Sequence, residues 1–76
     1  MPVEKITSAN VSEVFDYHPW DDEQTRKGTV IREILKEAVR LILMEVEDCP
    51  DRSVAIRKIR EARADCNSAI SHKGKF

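Results

Sequence analysis

Cysteine is scarce in this sequence, long apolar runs are missing, and the charges nearly cancel. Two cysteines in 76 residues, with no signal-peptide hydrophobic region, argue against a disulfide-stapled secreted domain and point to a reducing cytosol. The longest unbroken apolar run, Leu41 to Met44, falls far short of the roughly 20 residues needed to cross a bilayer, so a soluble chain with no membrane partner is expected. Lys and Arg total 13 against 14 Asp and Glu. That balance gives no general attraction to nucleic acid or membrane. There are no internal repeats or low-complexity stretches.

Catalytic signatures are also missing. The serines lie at helix ends or on helical surfaces without a glycine-rich elbow, and no His-carboxylate arrangement follows from spacing. His18 and His72 show no metal spacing with Cys49 and Cys66. The expectation is therefore a non-enzyme without metal or cofactor.

What the chain does have is charge, at 36% of residues, and a strongly apolar central segment. A chain this short buries only a modest fraction of its surface alone, so a partner is expected. Between Arg52 and Arg63 the bases Arg52, Arg57, Lys58, Arg60 and Arg63 face a single acid, Glu61, which suggests an anion-attracting surface.

The spacing predicts an all-helical protein: an N-terminal arm over 1–9, then a helical domain over 10–76. Asn10 with Glu13 has the spacing of a capping box for a short helix ending near Asp16. Pro19 makes the Tyr17-His18-Pro19-Trp20 stretch a connector. Asp21 with Gln24 caps a long second helix over about residues 22–47, weakened locally by Gly28. A third helix starts around Cys49-Pro50-Asp51 and runs to about Ser71, antiparallel to the second because the connection is short. Ala55, Ile59, Ala62, Cys66 and Ala69 have the spacing of its packing seam, and Gly74 ends regular structure. Cys49 and Cys66 should lie about 25 Å apart along that helix, too far to pair.

At 100° per residue the second helix reads, in angular order, Val30, Leu41, Ile34, Ala38, Ile31, Ile42, Leu35, Val46, Val39 and Leu43, a fan of roughly 220°. One core needs little more than about 100°, so the rest should face another chain or lie exposed. Arg32 falls at about 200° between Val39 and Leu43. It either snorkels to water or requires an anion or carboxylate. Arg63, Asn67 and Arg60 form a polar stripe beside the third helix's seam, either a solvated face or phosphate donors brought together by oligomerisation. Tyr17 and Trp20 could each stack on a nucleobase or pin the short helix to the hairpin.

Phe15-Asp16-Tyr17-His18-Pro19, then Ile31-Arg32, Cys49-Pro50, Ile59-Arg60-Glu61-Ala62-Arg63 and Asn67-Ser68-Ala69-Ile70 occur in an order and spacing that resemble the helical-hairpin family of phage anti-CBASS and anti-Thoeris sponges. The resemblance runs from residue 15 to about 71. It implies a short helix followed by a long antiparallel hairpin, assembled as a hexamer that binds cyclic oligonucleotides between subunits without cleaving them. It further implies a stacking role for Tyr17 and phosphate contact for Arg32. The family's aromatic residue before the motif asparagine is Asp65 here, and its basic residue after the isoleucine is represented by His72 or Lys73.

The expected ligand-binding set is thus Tyr17, His18, Arg32, Arg60, Arg63, Asn67, His72 and Lys73. The expected partners are a cyclic dinucleotide or trinucleotide and further copies of the chain, in the cytoplasm, with no duplex nucleic acid. The rival expectation is a helical oligomerising module that binds a protein or nucleic acid through its basic third helix.

Overall fold

Asp21 opens the longest element by satisfying its exposed backbone donors. The Asp21 carboxylate accepts from the Gln24 N–H at 2.8 Å, while the Gln24 side chain accepts from the Asp21 N–H at 3.0 Å, a complete capping box. The computed structural model describes residues 3–76, which form three helices and, among the described residues, no strand: α1 Val11–Phe15, α2 Asp22–Glu45 and α3 Pro50–Ser71. Residues 1 and 2 of the expected arm lie outside the described residues.

On the exposed side of α2, Glu23–Arg26, Glu33–Lys36 and Glu37–Arg40 pair at i,i+3 spacing, solvated pairs that support the helix only weakly. The helix stops two residues earlier than its apolar pattern predicts. Val46 is already extended, with φ −111° and ψ 130°. Arg52 explains the early stop: it donates to the Val46 carbonyl at 3.1 Å and pairs with Asp48 at 3.2 Å, locking the turn before α3. This side chain, only 19% exposed, is therefore committed to the turn and not to the anion-attracting surface.

Pro50 occupies the first turn of α3, where its missing N–H costs nothing. The far end closes as a Schellman motif, with the Gly74 N–H reaching the Ala69 carbonyl and the Lys73 N–H reaching Ile70. Gly74 adopts φ 77°, a left-handed conformation that suits glycine. Lys73 shares that region at φ 53°.

Contacts at both ends make α2 and α3 an antiparallel hairpin. At the start of α2, Gln24 Nε2 donates to the Ile70 carbonyl at 3.0 Å; at its end stands the Arg52 lock. Between them α2 turns Gly28, Ile31, Leu35, Ala38, Val39 and Ile42 towards α3. These fill the middle of the apolar fan, about 100° of it. Both flanks stay in solvent: Val30, Ile34 and Leu41 on one side and Leu43 on the other, with Ile34 61% exposed.

On α3 the packed face is rotated from the predicted seam. Ala55, Ile56, Ile59, Cys66 and Ile70 are half-buried, whereas Ala62 and Ala69 are exposed. Isoleucine buries more apolar area than alanine, so the helix turns by roughly 40° to bring Ile56 and Ile70 inwards. That rotation also carries Arg63 to the mouth of the interhelical groove.

No hydrophobic side chain among the described residues reaches full burial. The radius of gyration is 15.5 Å, with extents of 47 × 27 × 23 Å. A compact chain of this length would have about 11 Å. Accessible surface is 6173 Å². A monomer of this mass ordinarily exposes about 4,700 Å².

α1 is too short to hold itself. The predicted capping box does not form, because Asn10 is drawn backwards: its side chain accepts from the Thr7 N–H at 2.7 Å and donates to the Lys5 carbonyl at 2.9 Å. Glu13 instead meets Lys75 at 2.7 Å. The described arm residues are exposed, without regular structure from 3 to 7 and in a turn from 8 to 10, and are tied by the Glu4 N–H to the Lys75 carbonyl at 3.0 Å.

Candidate ligand site

Two hollows hold most of the residues singled out from sequence. They lie on different parts of the hairpin.

The first, about 550 Å³, lies where α1 and the connector meet the end of α3, lined by Asp16, Tyr17, His18, Trp20, Thr25 and His72 among others. Its two larger aromatic rings have separate tasks. Trp20 pins: its Nε1 donates to Ser71 Oγ at 2.7 Å, and its six-membered ring lies over Gly28. A Cβ at Gly28 would come within 2.6 Å of Trp20 Cη2, so the glycine that weakens α2 locally is the one that admits the ring. Tyr17 is 88% exposed and free to stack.

The histidines in this hollow are struts. His18 Nε2 meets the Glu13 carbonyl, and His72 Nε2 lies 3.1 Å from the Val14 carbonyl, so the two rings serve the end carbonyls that α1 cannot satisfy internally. The His72 Nδ1 atom lies 2.8 Å from the Ser68 carbonyl, and because either carbonyl only accepts, a ring with one N–H donates to Val14 or to Ser68 and not to both. The two rings meet edge to face with centroids 5.0 Å apart. Lys75 adds a further tie, and its hydrogen bond holds the Glu13 carboxyl below the usual carboxylate range while raising the Lys75 ammonium above its own.

The second hollow is a groove of about 340 Å³ between the helices. Leu35, Val39 and Ile59 line it together with the cations Arg32, Lys36, Arg40, Arg60 and Arg63. On the α2 side every cation has an acid within reach: Arg32 lies 3.6 Å from Glu33, Lys36 lies 3.4 Å from the same carboxylate, and Arg40 pairs with Glu37. Arg60 and Arg63 form no ion pair among the described residues. A shallower hollow continues from these two arginines to Ala64 and Asn67. The Arg32 side chain is 49% exposed, so it reaches water while its stem borders the apolar floor.

The structure thus gathers Tyr17, His18 and His72 in one place and Arg32, Arg60 and Arg63 in another, with Asn67 adjoining the second group. Lys73 belongs to neither; it borders a separate hollow with Asp21, Glu23 and Lys27. Sequence reasoning missed Lys36 and Arg40 as groove residues. Their signal was present, because Arg32, Lys36 and Arg40 recur at i,i+4 and share one helix face. Asp16 and Thr25 were missed as well, and the connector's path over α2 gives no comparable sequence signal.

Cys49 and Cys66 are both free thiols. Among the described residues no group of three His, Cys, Asp or Glu side chains converges on a possible metal position, and no helix is long and apolar enough to cross a membrane. No protein-family model matches the chain, and no curated protein or solved structure matches it either.

Proposed function

We propose that this chain is a sponge: it sequesters cyclic oligonucleotide immune signals, chiefly cyclic dinucleotides, and gives them up intact, blocking anti-phage defence in the host cytoplasm. The observation that carries this reading is the interhelical groove, where Arg60 and Arg63 stand without an acid partner beside an apolar floor. Forked guanidinium groups suit phosphate oxygens, and an apolar floor suits the sugar or base between them. Tyr17 supplies a free ring of the kind on which a nucleobase stacks.

In this reading the ligand pocket is completed by neighbouring copies, because Tyr17 and the arginine groove lie in separate hollows of one chain. Association is favoured by the exposed flank of Val30, Ile34 and Leu41 and by accessible surface of 6173 Å², well above the approximately 4,700 Å² of a compact monomer. Closed symmetric assembly is the usual outcome for one repeated chain, and a hexamer is the proposed state.

Light scattering and calorimetry test the proposal together. A species larger than a dimer should bind at least one cyclic dinucleotide or trinucleotide, and heating should return that ligand unaltered. A stable micromolar monomer would remove the assembly. Cleaved ligand would make the protein a phosphodiesterase. The rival, a helical interaction module, draws on Arg57 and Lys58, which also lack acid partners among the described residues. Salt-sensitive binding to duplex DNA with no cyclic nucleotide bound would favour it.

A further inference from the structure

We infer that Asp16 makes the aromatic cleft a reader of guanine, so that the preferred ligand of the proposed sponge is a guanine-containing cyclic dinucleotide. This rests on the sponge reading and adds to it the identity of the base.

The cleft's polar groups are mostly occupied. Trp20 Nε1 donates to Ser71 Oγ, His18 lies against the Glu13 carbonyl, and His72 lies against those of Val14 and Ser68, donating to one of the two. The Asp16 carboxylate is different: it lines the same cleft and joins no ion pair or side-chain hydrogen bond among the described residues. The cations on that side are committed elsewhere, with Lys75 bonded to Glu13 and also 3.7 Å from Glu4. Backbone geometry fixes where Asp16 stands, since it terminates α1 with its N–H on the Ser12 carbonyl at 2.8 Å. The next residue is Tyr17, the exposed ring.

An ionised carboxylate offers acceptors only. It therefore selects a base edge that presents donors side by side. On their Watson–Crick edges adenine and cytosine each set a ring-nitrogen acceptor beside an amine, and uracil places its single N–H between two carbonyls. Guanine alone presents N1–H and N2–H together, a match for two parallel charge-assisted bonds. The same negative charge repels a phosphate, so the base end of the ligand belongs at Asp16 and the phosphates at the arginine groove. A base stacked on Tyr17 would have its edge read by the preceding side chain.

Calorimetry with 3′,3′-linked cyclic di-GMP, cyclic GMP–AMP, cyclic di-IMP and cyclic di-AMP tests this on the unaltered protein. Cyclic di-GMP should bind at least about tenfold more tightly than cyclic di-AMP, because a bidentate base contact carries discrimination of that order. Hypoxanthine keeps N1–H and lacks the N2 amine, so cyclic di-IMP should fall between them. Asp16→Asn, which replaces one acceptor by a donor, should abolish most of the guanine preference and bind cyclic di-AMP at least as tightly as the unaltered protein, because a carboxamide pairs its acceptor with adenine's amine and its donor with the adjacent ring nitrogen. Equal affinity for the guanine and adenine ligands, a preference for adenine, or an Asp16→Asn protein that keeps the guanine preference would overturn the inference and leave the sponge reading intact. Failure of all four ligands and of cyclic trinucleotides would remove the sponge reading, and this inference with it.

Discussion

Replacing Gly28 by alanine sets two effects of known size against each other. Alanine is the better helix former by about 1 kcal/mol, so on propensity alone the substitution should stabilise α2. The structure opposes it. A Cβ would lie 2.6 Å from Trp20 Cη2 and closer still to Cζ3, and these atoms belong to a rigid ring that cannot bend aside. Overpacking of this kind costs about 1–3 kcal/mol. A displaced ring would also lose the bond from Nε1 to Ser71 Oγ, worth about 0.5–1.5 kcal/mol. The net expectation is a loss of about 0.5–3.5 kcal/mol, at about 4–8 °C of melting temperature per kcal/mol.

The assay is thermal unfolding at fixed protein concentration, because association would make the midpoint concentration-dependent. Trp20 is the sole tryptophan, so its emission reports on its own docking. Gly28→Ala should lower the melting temperature and shift the emission to the red. In a Trp20→Ala background the same change should stabilise by about 1 kcal/mol, since only propensity remains. A single Gly28→Ala variant that melts higher with unchanged emission would refute the contact and return Gly28 to a mere weak point in the helix.

Tyr17→Ala should weaken cyclic-dinucleotide binding by about 1–3 kcal/mol in calorimetry while light scattering finds the same assembly. Unchanged affinity would leave the exposed ring without a ligand role. Arg32→Met should leave the ligand-free melting temperature equal or higher, because a half-exposed guanidinium 3.6 Å from Glu33 adds little, about 0–1 kcal/mol, and a methionine offsets that loss against the apolar floor of Leu35, Val39 and Ile59. Ligand affinity should fall at least about tenfold, the value of a charge-assisted bond; loss of stability with affinity retained would instead show a structural partner. For the tie between Glu13 and Lys75, the lowered Glu13 pKa means a contribution that is present at neutral pH and lost as pH falls through that lowered value. The raised Lys75 pKa keeps the tie in place until pH climbs through that raised value. Protection of the α1 amides, taken relative to their intrinsic exchange rate at each pH, should therefore fall at both extremes, and Lys75→Gln should remove both losses.

How far the sequence could be read depended on whether the information was local. The Asp21–Gln24 capping box, the start of α3 at Pro50 and the end of regular structure near Gly74 are set within a few residues, and all three were legible in advance. The fan on α2 was equally local. Its middle, from Ala38 to Val39 in angular order, meets α3, and its flanks remain open because helix periodicity fixes which side chains share a face. Tertiary structure decided the rest. Asn10 and Glu13 have the spacing of a cap but serve Thr7, Lys5 and Lys75, because a helix of one and a half turns has no cooperative strength to hold its own cap against competing contacts. The rotation of α3 came from burying Ile56 and Ile70 in preference to Ala62 and Ala69, a comparison of areas that spacing alone does not make. Trp20 bonded to Ser71, and His72 beneath Val14, join residues far apart in the chain. Which ring pins and which remains free followed from those long-range contacts, since a ring's partner is set by what the folded chain brings beside it.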